Sequence, residues 1–219
     1  MKKLVSRFMA VLMAMTMILS MSMTAFAAEA PKGTLTVNNT VAGKTLDLYQ
    51  IFTATKNEAG NVAYTLNSAY EGFFQSKISG ASTLTGEALS EKAYEYVKTQ
   101  VGTDGKNGTG FAKEILGWIL ENATTLAATH TTANTTAGTT VINNLDYGYY
   151  VVYPLGATDT STAPGNETVK SVASLVSVTG YDATVNMKSN YPTVDKKIIP
   201  AQSLSLIHIS EPTRLQLIS

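Results

Sequence analysis

From Gly33 to Ile51 apolar and polar residues alternate with a period of two, the repeat of strands that bury one face. Leu35, Val37 and Asn39 alternate with Thr34, Thr36 and Asn38, and Ala42-Gly43 marks a turn. In the next strand Leu46, Leu48 and Gln50 share one side, and Asp47, Tyr49 and Ile51 share the other. A hairpin around Asn57-Glu-Ala-Gly-Asn61 leads into a third strand, Val62-Ala-Tyr-Thr-Leu66. The period then changes. Ser90 is placed to cap a helix, with Glu91 in its first turn, Tyr94, Val97 and Val101 at helical spacing, and Gly102 at its end. After the glycine-rich stretch Gly105 to Gly110, a second helix runs from about Phe111 to Asn122. Phe111, Ile115, Trp118 and Ile119 share one face of it, a packing stripe that includes the only tryptophan.

Thr124 to Thr140 is rich in Thr and Ala and admits either low-complexity coil or a weak exposed hairpin. Val141 to Tyr153 reads as strand formers flanking a turn, stopped by Pro154. A polar loop follows from Gly156 to Lys170, and Val172 to Val178 and Ala183 to Met187 alternate as late strands. The sum predicts a mainly β fold, an Ig-like β-sandwich with an inserted pair of helices at about 90–122, or a β-rich α+β class.

The first 27 residues break from this pattern. Lys2, Lys3 and Arg7 precede an apolar, Met-rich run from Phe8 to about Met23, and Ala25-Phe-Ala27 supplies small residues for processing. This predicts a secretory signal peptide cleaved between Ala27 and Ala28, and hence a secreted or surface-bound product. The run is short and interrupted by Thr16, Ser20 and Ser22, which argues against a spanning anchor. Cleavage removes three of the 16 basic residues and leaves 16 acidic ones, so the exported chain is mildly acidic. It has no basic face for nucleic acid. There is no cysteine, so an exported domain of this size has no disulfide to draw on.

Catalytic constellations are sparse. His130 and His208 are far apart, no nucleophile-elbow sequence occurs, and Gly105 to Gly110 lacks the Lys-Ser/Thr ending of a phosphate loop. Without cysteine a zinc site would rest almost wholly on carboxylates, so neither a metal nor a cofactor is expected and the chain is not read as an enzyme. Three lysines near the end of the sandwich remain: Lys188, Lys196 and Lys197. A free lysine, with a pKa of about 10.4, is almost wholly protonated at neutral pH. It becomes a nucleophile only where its surroundings or a partner enzyme take the proton.

Four segments, in order, resemble a backbone (major) pilin of Gram-positive, sortase-assembled pili. They are Gly33-Thr-Leu-Thr-Val37, Lys44-Thr-Leu-Asp-Leu-Tyr-Gln-Ile-Phe52, Leu145-Asp-Tyr-Gly-Tyr-Tyr-Val-Val152 and Tyr191-Pro-Thr-Val-Asp-Lys-Lys-Ile198. The resemblance spans residues 1 to about 200 and implies a Cna-B-like sandwich over 28–188. It implies a linker and the first strand of a second domain over 189–200. It further implies a structural subunit of a pilus fibre whose partners are a pilin-class sortase and other copies of the pilin. In that family a lysine of the pilin motif attacks the sortase-bound thioester of the next subunit and forms an intermolecular isopeptide bond. The motif carries an aromatic, two spaced valines and Tyr-Pro-Lys. Here Tyr181, Val185 and Met187 match the aromatic and the apolar positions, Tyr-Pro is absent, and Lys188 follows directly, which makes Lys188 the candidate linking residue.

The resemblance also implies an internal lysine–asparagine amide in the second domain, from Lys196 or Lys197. Strand alternation sets these two on opposite faces, and Lys196 shares its face with Val194 and Ile198. The glutamate that follows the Gly-Tyr strand in Cna-B-type domains has no counterpart in Gly148-Tyr-Tyr-Val-Val-Tyr-Pro154, so no internal amide is expected in 28–188. An alternative reading is an adhesin domain whose helical insert or Thr-rich loop contacts a host receptor, glycan or protein. The last segment differs again. Leu204-Ser-Leu-Ile-His-Ile-Ser-Glu-Pro-Thr-Arg214 is identical to the translation of a transposase adapter used in DNA library preparation. Residues 201–219 are therefore expected to be a non-native tail, with the natural protein continuing past about Pro200.

Overall fold

A computed structural model describes residues 31–102, 108–157, 172–187 and 191. Eight strands form two sheets. The first sheet has three strands in the order β5-β1-β8: β1 (Lys32–Thr40), β5 (Gly138–Asp146) and β8 (Ala183–Asn186). The second runs β3-β2-β6-β7: β2 (Leu46–Lys56), β3 (Val62–Leu66), β6 (Gly148–Pro154) and β7 (Ser174–Val178), with β4 (His130–Thr132) also on β2. Three helices cover the far side of the second sheet: α1 (Glu71–Lys77), entered through a single tight turn at Ser68–Tyr70, α2 (Gly86–Val101) and α3 (Gly108–Glu121). The mainly β architecture with a helical insert is thus what the chain folds into, but the helices number three and begin before residue 90.

This arrangement has three layers and two cores. Between the sheets lie Leu35, Val37, Leu46, Leu48, Val152 and Val178, with their apolar neighbours. Between the second sheet and the helices lie Tyr49, Ile51, Phe52, Phe73, Phe74, Phe111 and Ile115, among others. The even and odd positions of β2 divide as the alternation predicts, Leu46 and Leu48 to one core and Tyr49 and Ile51 to the other. Both faces of that strand are buried because helices, not water, cover its second side. A ladder shift between Gln50 and Phe52 then sends Phe52 to the same side as Ile51. Strand β6 is buried at every position for the same reason.

The helices are inserted into one strand edge. β3 pairs with Phe52–Lys56 and β4 with Leu46–Leu48, both on the same edge of β2. Between them the backbone groups of β2 are taken up by the two ends of the excursion. Asn67 donates its N–H to Ile51 O at 2.9 Å and its amide to Gln50 O at 3.2 Å. Thr129 donates its N–H to Leu48 O at 2.8 Å, and its hydroxyl accepts from Gln50 N at 3.0 Å. Residues 68–128 therefore leave and rejoin the sheet at adjacent points, with no gap in hydrogen bonding.

Several local expectations are corrected. Asn39 does not continue the inward face of β1. It adopts φ 61° in a bulge between Asn38 and Thr40, and Thr40 takes the buried position. Ser90 does not cap a helix. It lies buried within α2, where its hydroxyl accepts the N–H of Leu66 at 2.8 Å, and the helix begins behind Thr85. Gly108 and Gly110 belong to α3 rather than to a loop. The Thr-rich stretch is strand-forming: β4 pairs with β2, β5 starts at Gly138, and buried Thr135 ties the turn to Val41 and Lys44. Residues 103–107 and the greater part of the polar loop lie outside the described residues.

Two glycines are required by close approach. A Cβ on Gly148 would lie 2.5 Å from Phe52 O and 2.7 Å from Gln50 Nε2. One on Gly33 would lie 2.5 Å from Gly180 O. Next to Gly148, the buried Gln50 amide donates to Tyr150 Oη and to Tyr147 O, both at 3.1 Å, and Tyr150 donates to Asp146 O at 2.7 Å. These bonds fix the corner where the chain passes from the first sheet to the second, a local hydroxyl-to-backbone tie found in other sandwiches.

Candidate functional site

The approach to the candidate lysine is built by β8. This strand pairs in parallel with β1, Val37 opposite Val185 and Asn38 opposite Asn186. Alternation turns Val185 and Met187 into the inter-sheet core, and Met187 is only 2% exposed. Its backbone is held on both sides: Met187 N–H donates to Asn38 O at 3.0 Å, and Asn39 Nδ2 donates to Met187 O at 3.3 Å. The left-handed turn at Asn39 brings its amide to this position, a role that periodicity had missed. The signal was the Asn-Asn pair just before a turn, since asparagine tolerates positive φ better than most residues. Tyr181, the aromatic of the motif, sits in the β7–β8 turn and is 77% exposed.

Beyond Met187 the next described residue is Tyr191. It packs against the helix-side core, with Lys44 Nζ 4.6 Å from its ring centre. Burial, then the neighbouring Tyr153, pushes its pKa up. The chain is therefore anchored at Met187 on one core and at Tyr191 on the other, on either side of the segment that contains Lys188. Lys188, Lys196 and Lys197 lie outside the described residues, as do Ala27 and Ala28 at the expected cleavage point and the tail 201–219.

The other chemistry weighed from the sequence takes plain structural positions. His130 is half-buried on β4 with Nε2 3.1 Å from Thr132 Oγ1. Trp118 packs near Tyr70 and Phe73. Among the described residues no group of three His, Cys, Asp or Glu side chains is placed to hold a metal ion. Lys32 and Asp146 form a cross-strand ion pair at 2.6 Å, with side chains 37% and 45% exposed. At that exposure the charges remain solvated and the pair contributes little to stability. No described helix is long and apolar enough to cross a membrane.

No family model matches the chain, and no curated protein matches it. Among solved structures it is similar to the T6 backbone pilin of serotype M6 Streptococcus pyogenes, described as a modular three-domain structure decorated with variable loops and extensions. The identity is 17% and the TM-score 0.36, and the match covers 78% of this chain and 30% of that one.

Proposed function

We propose that the chain is the N-terminal part of a structural subunit of a cell-surface pilus, polymerised by a pilin-class sortase through Lys188. The reading rests on the four pilin-like segments in order, behind an export signal and in a chain without cysteine. The observation that carries it is the anchoring of Met187, the residue before Lys188, by two hydrogen bonds and by burial. With the residue before it anchored, a nucleophile has less chain to order when it meets an acylated partner. In the reaction the lysine amine attacks the thioester carbonyl, the new amide C–N bond replaces the C–S bond, and the amine proton leaves with the thiolate. A fibre under shear gains from such a link because noncovalent contacts always have a finite off-rate.

In this reading Lys196 and Lys197 belong to the next domain, where one of them forms the internal amide, and residues 28–188 carry no internal amide of their own. Incubating the full-length protein with its sortase is expected to give a ladder of multimers that resist heat and detergent. Lys188→Ala should abolish the ladder, while Lys196→Ala and Lys197→Ala should leave it in place. A ladder that survives Lys188→Ala removes the assignment. If wild type gives no ladder, the adhesin reading takes its place.

A further inference from the structure

One connection holds the chain on both sides of Lys188. Between β1 and β2 the chain turns through Val41–Lys44, and the residues just before that turn, Asn38 and Asn39, take the two backbone groups of Met187. At the other end of the turn, Lys44 Nζ lies over the ring of Tyr191, 4.6 Å from its centre. The turn itself is locked by Thr135, which is 3% exposed. Thr135 donates its N–H to Lys44 O at 3.0 Å, and its carbonyl accepts from Gly43 N at 2.9 Å. Its hydroxyl accepts from Lys44 N at 3.2 Å and donates to Val41 O. A residue of the Thr-rich stretch thus gives Lys44 a fixed mount. Strands β2 and β6 bring Tyr153 to the same end of the sheet, where Leu155 N–H donates to Thr45 O at 2.9 Å. The ring of Tyr191 therefore has a buried tyrosine and a cation for neighbours.

We propose that Lys44 is a positioning residue for the linking reaction: its ammonium, seated over Tyr191, holds the downstream flank of Lys188 to the same turn that holds the upstream flank. The separation is within the reach of about 6 Å over which a cation is attracted to an aromatic face. Only residues 188–190 separate the two anchors. A chain fixed at both ends has far fewer conformations than a chain fixed at one, so less is left to order when the amine meets the thioester carbonyl. The sheets do not need the lysine side chain. The main chain at position 44 is bonded to Thr135 whatever side chain it carries, and a cation over a ring at a half-buried position adds little to global stability. A neutral residue of similar length would keep the fold and release only Tyr191. The positioning role rests on the polymer reading above; the contact between Lys44 and Tyr191 does not.

The test uses the full-length protein as acceptor for its sortase, with the rate of linking followed against acceptor concentration. Lys44→Gln is expected to raise KM for the acceptor about two- to fivefold with kcat unchanged, because only the free acceptor is loosened and the bound one is ordered in either case. Lys44→Arg and Tyr191→Phe keep a cation and a ring and should stay near wild type. Added to Tyr191→Leu, the change Lys44→Gln should cost nothing more, since its partner is already gone. Lys113→Gln on α3 should leave KM as it is, and the unfolding midpoint of Lys44→Gln should match wild type. An unchanged KM in Lys44→Gln, an equal rise in Lys113→Gln, or a full further loss on top of Tyr191→Leu would each overturn the proposal. NMR of the chain without sortase reads the contact itself. The methylene protons beside Lys44 Nζ should lie upfield in wild type and return to their ordinary position in Tyr191→Leu. No upfield shift overturns the contact, whether or not a ladder forms. An upfield shift with no ladder from wild type overturns the polymer reading, and the positioning role with it.

Discussion

The two cores on either side of the second sheet are packed with different materials. Between the sheets the side chains are aliphatic, with Tyr150 the one aromatic among the buried set. Between sheet and helices ten of the 26 buried side chains are aromatic, and all ten aromatic ring pairs seen among the described residues fall there, from Phe52–Phe74 to Tyr96–Phe111. Two sheets stack at a nearly constant spacing that branched aliphatics fill. Helices laid on a sheet leave deeper and less regular gaps, which need flat rings in tilted and edge-on pairs. Because β2 and β6 contribute to both cores, the layers share their two central strands and are expected to unfold together.

The largest expected effect comes from alkali. Burial holds Tyr94 up to about 12 and raises Tyr49, Tyr64, Tyr70 and Tyr149, all on the helix side; burial then Asp146 does the same to Tyr150. The folded state keeps these protons longer than the unfolded chain, whose tyrosines titrate near 10. Stability is therefore intact below about pH 10 and falls as pH rises toward 12. Tyrosinate absorbance and loss of Trp118 fluorescence should rise in one step. Gradual ionisation with fluorescence unchanged would mean that the helix-side rings are open to water.

Next in size are paired truncations. Phe74→Ala on the helix side is expected to cost about 4 kcal/mol and Leu35→Ala between the sheets about 3 kcal/mol. In urea both should lower one common transition seen by circular dichroism and by Trp118. If Phe74→Ala splits it in two, the helical layer folds separately and the shared strands do not couple the cores. A smaller effect is expected for Tyr150→Phe, which takes one partner from the Gln50 amide and leaves Asp146 O without its hydroxyl, at about 2 kcal/mol. The smallest is Lys77→Ala. The Lys77–Glu114 pair links α1 to α3 at 2.6 Å, but both side chains are more than a third exposed. The loss should stay below about 1 kcal/mol and shrink further in salt.

The aliphatic core was largely legible from sequence, and the helix-side core only in part. Leu35, Val37, Leu46, Leu48 and Val185 announce themselves by alternation, which a two-sheet sandwich preserves. The α1 segment, Glu71–Lys77, shows little amphipathic repeat because it is short, and Phe73-Phe74 reads equally well as a strand. Ser90 carries a capping residue's chemistry but spends it on Leu66 N, a tertiary contact that no local window reveals. The Thr-rich stretch looked featureless because β4 and the start of β5 are held by partners far away in sequence. At the candidate site, the inward turns of Val185 and Met187 were readable, whereas the Asn39 clamp depends on a bulge.

The parallel pairing of β1 with β8 has a mechanical consequence. Tension applied between Lys32 and Met187 pulls the two neighbouring strands in opposite directions along their length. Their four registered residue pairs, Leu35–Ala183 to Asn38–Asn186, then bear the load together instead of peeling apart one after another. Rupture in that geometry is abrupt and occurs at high force.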